Sequence, residues 1–383
     1  MIYLDNAATT YPKSENVYRA MDEVNRNLAV NAGRGSYRVA RNAETLIEDT
    51  RKNLLHLVCG KDDYHVVLTP SATLAMNEII GGLCWRQGEN VYVSPFEHNA
   101  VMRNLNIVAN KYHLNIIELP LNKDMTIDLT KTEYLFAKKR PDKVFLSHVS
   151  NVTGYILPLE ELSGLARKER AVMIVDGSQS LGLVPVDLRK LDVDFFVFAG
   201  HKTLYGPLGI GGFFMRNEAI LEIHIAGGTG TNSLNLEMPQ SLPERYEPAS
   251  KNIVAVAGLN AALKDMGTER QRILWLLEEQ RLAKKLEKEL SQIDRVQMYS
   301  VNSENRTGIV AFNIEGLNAA DVGMILDEDY DIAVRTGYHC APLIHKYLKD
   351  ESFHGVVRAS VGRYTTKQDV ETLACAIREI AEW

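Results

Sequence analysis

Two charged residues stand where buried-strand patterns end. Lys202 lies in Ala199-Gly200-His201-Lys202, directly after the apolar run Asp194–Phe198. Asp176 lies 26 residues earlier, at the end of Val172-Met173-Ile174-Val175. A lysine and an aspartate at neighbouring strand ends are what pyridoxal phosphate (PLP) requires. The amine forms a Schiff base with the aldehyde, and the carboxylate keeps the ring nitrogen protonated so that the ring accepts electrons.

Cys340 bears on the type of reaction. It sits in Arg335-Thr336-Gly337-Tyr338-His339-Cys340-Ala341-Pro342, where Gly, Pro and polar neighbours imply a loop and not a core strand. Beside His339 and near Arg335, it has the setting of a thiolate nucleophile. Cys59, Cys84 and Cys375 lie in or beside apolar helical patterns and read as small buried hydrophobes. Arg358 follows Gly355-Val356-Val357, and an arginine at a strand end can hold a substrate carboxylate with two parallel hydrogen bonds. A surface ion pair is the plain alternative, and Arg363 competes for the role.

The remaining pieces are weaker one by one. Val66–Thr73 runs from a strand into a helix, where free N–H groups and the Thr73 hydroxyl can bind phosphate. Taken alone, N-capping by Ser71 or Thr73 explains it better. No GxxxxGK[ST] supports a nucleotide P-loop. His98, in Ser94-Pro95-Phe96-Glu97-His98-Asn99, can stack on a planar cofactor and move protons. Taken alone, a locally bonded helix-start histidine explains that segment better. Asn151, in His148–Gly154, can donate to a phenolic oxygen or stabilise its own turn. Asp176 and Gln179 lie three residues apart on one turn.

Positioning these groups requires an alternating architecture. Strand patterns cover His65–Thr69, Asn90–Val93, Asn115–Leu119, Val144–His148, Val172–Val175 and Phe195–Phe198. Helical patterns Thr73–Leu83, Asn99–Lys111 and Leu159–Lys168 fall between them. Such alternation predicts a mostly parallel, doubly wound α/β sheet, whose ligands bind outside the carboxyl ends of the strands. Gly227–Pro248 reads as a long loop. Helices near Ile253–Met266 and Glu269–Gln292 follow, then strand and helix patterns at Gly308–Asn313 and Ala319–Leu326. The expected division is a large domain over residues 1–255 and a smaller α/β domain over 256–383.

Composition narrows the function. The 383 residues are 45% hydrophobic and 24% charged, ordinary for a globular protein. A formal net charge of −6 argues against general nucleic-acid binding. No apolar run reaches membrane-helix length, and the start lacks signal-peptide regions. Four cysteines without a CxxC pair point to free thiols in a reducing cytoplasm, with no zinc site. The first βα turn has no G-x-G-x-x-G, which removes the dinucleotide-dependent dehydrogenases.

In their order along the chain, these pieces resemble the class V aminotransferase family, in particular its cysteine desulfurase/selenocysteine lyase branch. The resemblance covers Tyr3–Thr10, Asn31-Ala32-Gly33-Arg34-Gly35, Glu97-His98-Asn99, Ser147–Gly154, Val175–Ser180, Gly200-His201-Lys202 and Arg335–Pro342. The short Arg-x-Gly-x-His-Cys-Ala-Pro loop is similar to that of the group II enzymes. The resemblance implies a type I PLP-dependent transferase fold and a homodimer. Lys202 would bind the cofactor and move the α-proton. Asp176 would pair with the ring nitrogen, His98 would stack on the ring, and Asn151 and Gln179 would contact the phenolic oxygen. Ala72, Thr73 and His201 would hold the phosphate, and Ser250 would reach the phosphate of the partner subunit. Arg358, with Asn151, would hold the substrate carboxylate.

The implied reaction converts L-cysteine to L-alanine with a persulfide on Cys340, which passes sulfur to an acceptor protein or small thiol. Selenocysteine lyase, another C–S lyase or an aminotransferase is the alternative on the same scaffold. A non-catalytic sulfur-relay partner is the distant one. Ala199 replaces a common Ser or Thr, and one lost phosphate hydrogen bond costs about 1–2 kcal/mol, roughly tenfold in affinity. Leu74 stands where Glu is frequent. Lys202-Thr203-Leu204-Tyr205-Gly206-Pro207 has one residue more than the common group II spacing.

Overall fold

A computed structural model of the protein describes residues 1–382 except 33, 34, 36, 62, 231–233, 300, 302 and 303. Gly33 and Arg34 of the Asn31–Gly35 segment therefore lie outside the described residues. The chain opens with β1 (Ile2–Tyr3), α1 (Glu15–Asn27) and α2 (Arg38–Leu57). Strands and helices then alternate: β2 (Tyr64–Thr69), α3 (Ala72–Gly82), β3 (Asn90–Val93), α4 (Asn99–Tyr112), β4 (Asn115–Glu118), α5 (Leu129–Lys138), β5 (Lys143–Ser147), α6 (Leu159–Lys168) and β6 (Val172–Asp176). β7 (Phe195–Ala199) and β8 (Gly211–Arg216) follow without a helix between them.

These strands form one seven-stranded sheet in the order β2-β8-β7-β6-β5-β3-β4. The pairs from β7 to β4 are all parallel, and β8 is antiparallel to both its neighbours. Parallel strands covered by helices on both faces must be apolar on both faces. β7 meets this requirement residue by residue: Phe196 and Phe198 enter one core, while Phe195 and Val197 enter the other. Each fully buried phenylalanine contributes about 2–3 kcal/mol. The same alternation runs through Val144, Phe145 and Leu146 on β5.

β8 begins inside the glycine-rich stretch after Lys202, where the sequence pattern gives no strand. Its first two residues explain this. A Cβ on Gly211 would lie 2.8 Å from the Ala72 nitrogen, and one on Gly212 would lie 2.2 Å from the Val67 carbonyl oxygen. Backbone passes too close there for a side chain, which seats the start of α3 against the sheet.

After the loop that follows β8, α7 (Ile253–Asp265) packs against α1 and α2. Among the described residues, the only element in that loop is a short 3-10 turn, Glu244–Tyr246. The rest of the chain is α8 (Glu269–Leu290), β9 (Val296–Met298), β10 (Ile309–Ile314), α9 (Ala319–Tyr330), β11 (Ile332–Ala333), β12 (Arg335–Gly337), α10 (His345–Leu348), a 3-10 turn (Glu351–Phe353), β13 (Val356–Ser360) and α11 (Lys367–Ala381). An antiparallel sheet β12-β13-β10-β9 packs with α8, α9 and α11 around its own core. The first residues of the chain join this second unit: β1 pairs in parallel with β11, and Leu4 is buried in its core. Among the described residues no helix is long and apolar enough to cross a membrane.

Two expectations are corrected. Arg335–Gly337 is the strand β12, not loop; the loop begins at Tyr338. Gly337 and Gly355 make this pairing close, since a Cβ on Gly355 would come within 2.4 Å of the Gly337 carbonyl carbon. The other cysteines are not buried: Cys59 is half-buried, and Cys84 and Cys375 are exposed. Cys84 lies just past the end of α3, and Cys375 takes the outer face of α11, whose inner face is Leu373, Ala374, Ala376 and Ile377.

Candidate active site

Register places the chemistry at the carboxyl ends of neighbouring strands. Ser147 is the partner of Asp176 across β5 and β6, and Asp176 is the partner of Val197 across β6 and β7. The turns that leave these ends line one cavity of about 220 Å³. Ala72, Thr73, His98, Asn151, Asp176, Gln179, His201, Lys202 and Arg358 all contribute to its wall.

Local structure fixes each group. Ser71 caps α3, accepting from the Leu74 N–H at 3.2 Å, and leaves the first-turn N–H groups of Ala72 and Thr73 at the cavity wall. His98 caps α4: its Nδ1 accepts from the Ala100 N–H at 3.0 Å, so the ring is neutral with its proton on Nε2. Burial, followed by the Lys202 charge, pushes the His98 pKa down to about 4. The helix-start reading of His98 is therefore realised, and the same residue lines the cavity. The Ser178 N–H donates to Asp176 Oδ1 at 2.9 Å, which orients that carboxylate. Burial lowers the pKa of Lys202, while the Asp176 charge opposes the shift. The pKa of His201 falls to about 4, mainly through burial.

Arg358 and not Arg363 faces this cavity. Arg358 is 1% exposed on β13; Nη2 forms an ion pair with Asp5 Oδ1 at 2.6 Å, and Nη1 donates to the Asn151 carbonyl at 2.8 Å. Arg363 instead stacks on Trp275 and Tyr205 beside a separate small cavity. Asn151 Nδ2 donates to the His339 carbonyl at 2.7 Å, and Gln179 Nε2 to the Ala7 carbonyl at 2.7 Å. Each amide keeps a second N–H for another partner.

Cys340 is exposed at the rim, next to His339 and Arg335, which line the cavity. Arg335 Nη2 lies 3.9 Å from its sulfur. The short loop is tied on several sides. His339 Nε2 meets the Val356 carbonyl at 3.0 Å, and the Cys340 carbonyl accepts from the Asn99 N–H at 2.6 Å. Both His339 and Cys340 adopt left-handed backbone, with φ of 45° and 56°. Ser250 is exposed on the approach to α7 and is not part of this cavity wall.

Asp5, Ser178 and the cavity-facing roles of Arg335 and His339 were not anticipated. For Asp5 the signal is its place in Tyr3–Thr10, one of the segments that carry the family resemblance.

Pyridoxal phosphate fits this donor set. Among the described residues, Ser178 Oγ, His201 Nδ1 and Arg358 Nε are buried without a hydrogen-bond partner, and all three residues line the cavity. An amine held near an aspartate, a neutral imidazole and a helix start suit an aldehyde, an aromatic ring and a phosphate respectively.

Comparison with known proteins agrees. A "Probable cysteine desulfurase" of Pyrococcus abyssi is 30% identical over 100% of this chain and 94% of its own length. A "Cysteine desulfurase" of Escherichia coli O157:H7 is 32% identical over 99% of this chain and 93% of its own. The apo structure of a cysteine desulfurase from Thermococcus onnurineus superposes with a TM-score of 0.90 at 31% identity, covering 100% of this chain and 94% of that one. The family model for "Aminotransferase class-V" matches residues 2–373, and the chain belongs to that family.

Proposed function

We propose that this protein is a PLP-dependent cysteine desulfurase, which takes sulfur from L-cysteine, releases L-alanine and carries the sulfur as a persulfide on Cys340. The observation that carries this reading is one cavity faced by Lys202, Asp176 and Arg358, with the thiol of Cys340 at its rim.

Ala72, Thr73 and His201 would hold the cofactor's phosphate, Asp176 its ring nitrogen, Asn151 and Gln179 its phenolic oxygen, and His98 its ring face. When bound, the cofactor supplies an electron sink that loosens the bonds at the α- and β-carbons of the substrate. Arg358 binds the substrate carboxylate; its unpartnered Nε supports the assignment. Lys202, whose amine burial favours in the neutral form, takes and returns the α-proton. The Cys340 thiolate attacks the substrate sulfur. An S–S bond forms as the Cβ–S bond breaks, and the electron pair of the broken bond stays with the carbon skeleton, which is protonated and leaves as alanine. Arg335 places positive charge beside the attacking sulfur. The persulfide then passes its outer sulfur to an acceptor protein or small thiol.

In this reading the enzyme acts as a homodimer in the cytoplasm. Exposed Ser250 reaches the phosphate of the partner subunit, and the four free cysteines suit a reducing compartment. Alanine production from L-cysteine, with a reducing thiol present, tests the proposal. Sustained alanine from the PLP-loaded protein is expected. No alanine from a protein that has taken up the cofactor, whatever thiol is supplied, would refute it.

A further inference from the structure

The start of the chain has no part in the reaction as written, yet it grips the backbone that carries Lys202. Thr9 Oγ1 donates to the His201 carbonyl at 3.0 Å, and the Thr10 N–H donates to the same oxygen at 3.1 Å. Lys13 Nζ reaches that oxygen at 2.9 Å and Thr10 Oγ1 at 2.7 Å. Thr10 Oγ1 in turn lies 3.1 Å from the Lys202 carbonyl. Both peptide carbonyls that flank the Lys202 Cα therefore end in one small cluster of donors.

Lys13 is unusual within that cluster. It is half-buried just before α1, and among the described residues it forms no ion pair with a carboxylate. An ammonium group taken from water without a counter-ion is costly unless its protons are used. Here they are used on a carbonyl and a hydroxyl oxygen. Burial also draws its pKa down to about 8. The segment is fixed at its other end too: Asp5 pairs with Arg358, and the Ala7 carbonyl accepts from Gln179. Lys13 thus closes a rigid base under a side chain that otherwise swings on four rotatable bonds.

We propose that Lys13 is a positioning residue for Lys202: with Thr10 it holds the two carbonyls flanking Lys202, and so sets where the lysine amine meets the cofactor aldehyde. This rests on the assignment of Lys202 as the cofactor-binding lysine. Positioning is most valuable where two reacting groups must meet in one geometry.

Three variants test it: Lys13→Met, Lys13→Arg and Thr10→Val. Two quantities are read: the rate at which apoprotein captures PLP, followed by absorbance, and kcat and KM with L-cysteine. Lys13→Met is expected to slow both capture and kcat about tenfold, the size of one lost charge-assisted hydrogen bond, with KM within about twofold because Arg358 is untouched. Lys13→Arg should restore both rates. Capture and kcat of Lys13→Met within about twofold of wild type would overturn the inference, as would a loss of melting temperature with kcat intact. If Lys13→Met does not fold, Thr10→Val carries the same expectation and the same refutation. Borohydride reduction and peptide mapping of the wild type separate the two claims. Cofactor on another residue would refute the Lys202 assignment and this inference together, whereas cofactor on Lys202 with unaffected variants would refute this inference alone.

Discussion

Replacing Asp5 by asparagine should move stability and ligand affinity in opposite directions. Arg358 is 1% exposed and Asp5 20% exposed in side-chain terms, with Nη2 and Oδ1 2.6 Å apart. At an effective dielectric constant of about 20, that attraction is roughly 6 kcal/mol before desolvation is counted. Removing one partner of a buried pair costs about 3–5 kcal/mol, because the other charge is left uncompensated. Asparagine keeps an acceptor in place, so a loss of about 3 kcal/mol is expected in the ligand-free protein, about 4 °C in melting temperature for a chain of this size. The same change frees the guanidinium for a ligand. In the wild type a substrate carboxylate shares Arg358 with Asp5, and two anions beside one cation repel each other. The Kd for L-alanine, measured calorimetrically on the PLP-loaded protein, should therefore fall about fivefold or more in Asp5→Asn. An unchanged melting temperature would show that the pair contributes nothing. Weaker alanine binding would show that Asp5 orients Arg358 instead of competing for it.

Further outcomes follow from other residues. Lys202→Ala should purify without the visible absorbance of lysine-bound cofactor and should yield no cofactor-modified peptide after borohydride reduction; a modified peptide elsewhere would move the assignment. Glu279 is 6% exposed, and burial raises its pKa to about 8, with Arg363 opposing the shift. Its folded pKa lies above its unfolded one, so its contribution is fully present below about pH 4.5 and is lost as pH rises through 8. Glu279→Gln should accordingly be more stable than wild type by roughly 2–4 kcal/mol at pH 8, with the difference vanishing below about pH 4.5. A difference independent of pH, read from urea unfolding, would contradict a buried protonated carboxyl.

Legibility of the sequence varied with the physics behind each element. The strands that carry the site were plain because parallel strands are apolar on both faces, so β5, β6 and β7 read as short apolar runs, with Ser147 and Asp176 closing the first two. β8 was hidden because its opening glycines exist for backbone proximity, and glycine pairs look like turns. The helix α2 repeats Ala40, Ala43, Ile47 and Leu54 at helical spacing, but two alanines and the buried Thr50 and Arg51 leave only a faint apolar stripe. Within the site, Lys202, Asp176 and His98 were recoverable because each lies at the carboxyl end of its strand or within five residues of it. Asp5 and Lys13 were not, since their partners Arg358 and His201 lie far along the chain and no local pattern records a long-range contact. The exposure of Cys84 and Cys375 escaped for a related reason: a lone cysteine beside apolar residues does not state which side of the helix it occupies.

The central claim is that sulfur leaves cysteine by way of Cys340. The most direct measurement is mass spectrometry of the Cys340 peptide after the PLP-loaded protein has met L-cysteine without a reducing thiol, with alanine quantified in the same sample. The account predicts a Cys340 peptide heavier by one sulfur atom, alanine in step with the sulfur retained, and neither retained sulfur nor sustained alanine in Cys340→Ala. Alanine formed at the wild-type rate by Cys340→Ala, with the sulfur leaving as elemental sulfur or as the persulfide of free cysteine, would contradict it.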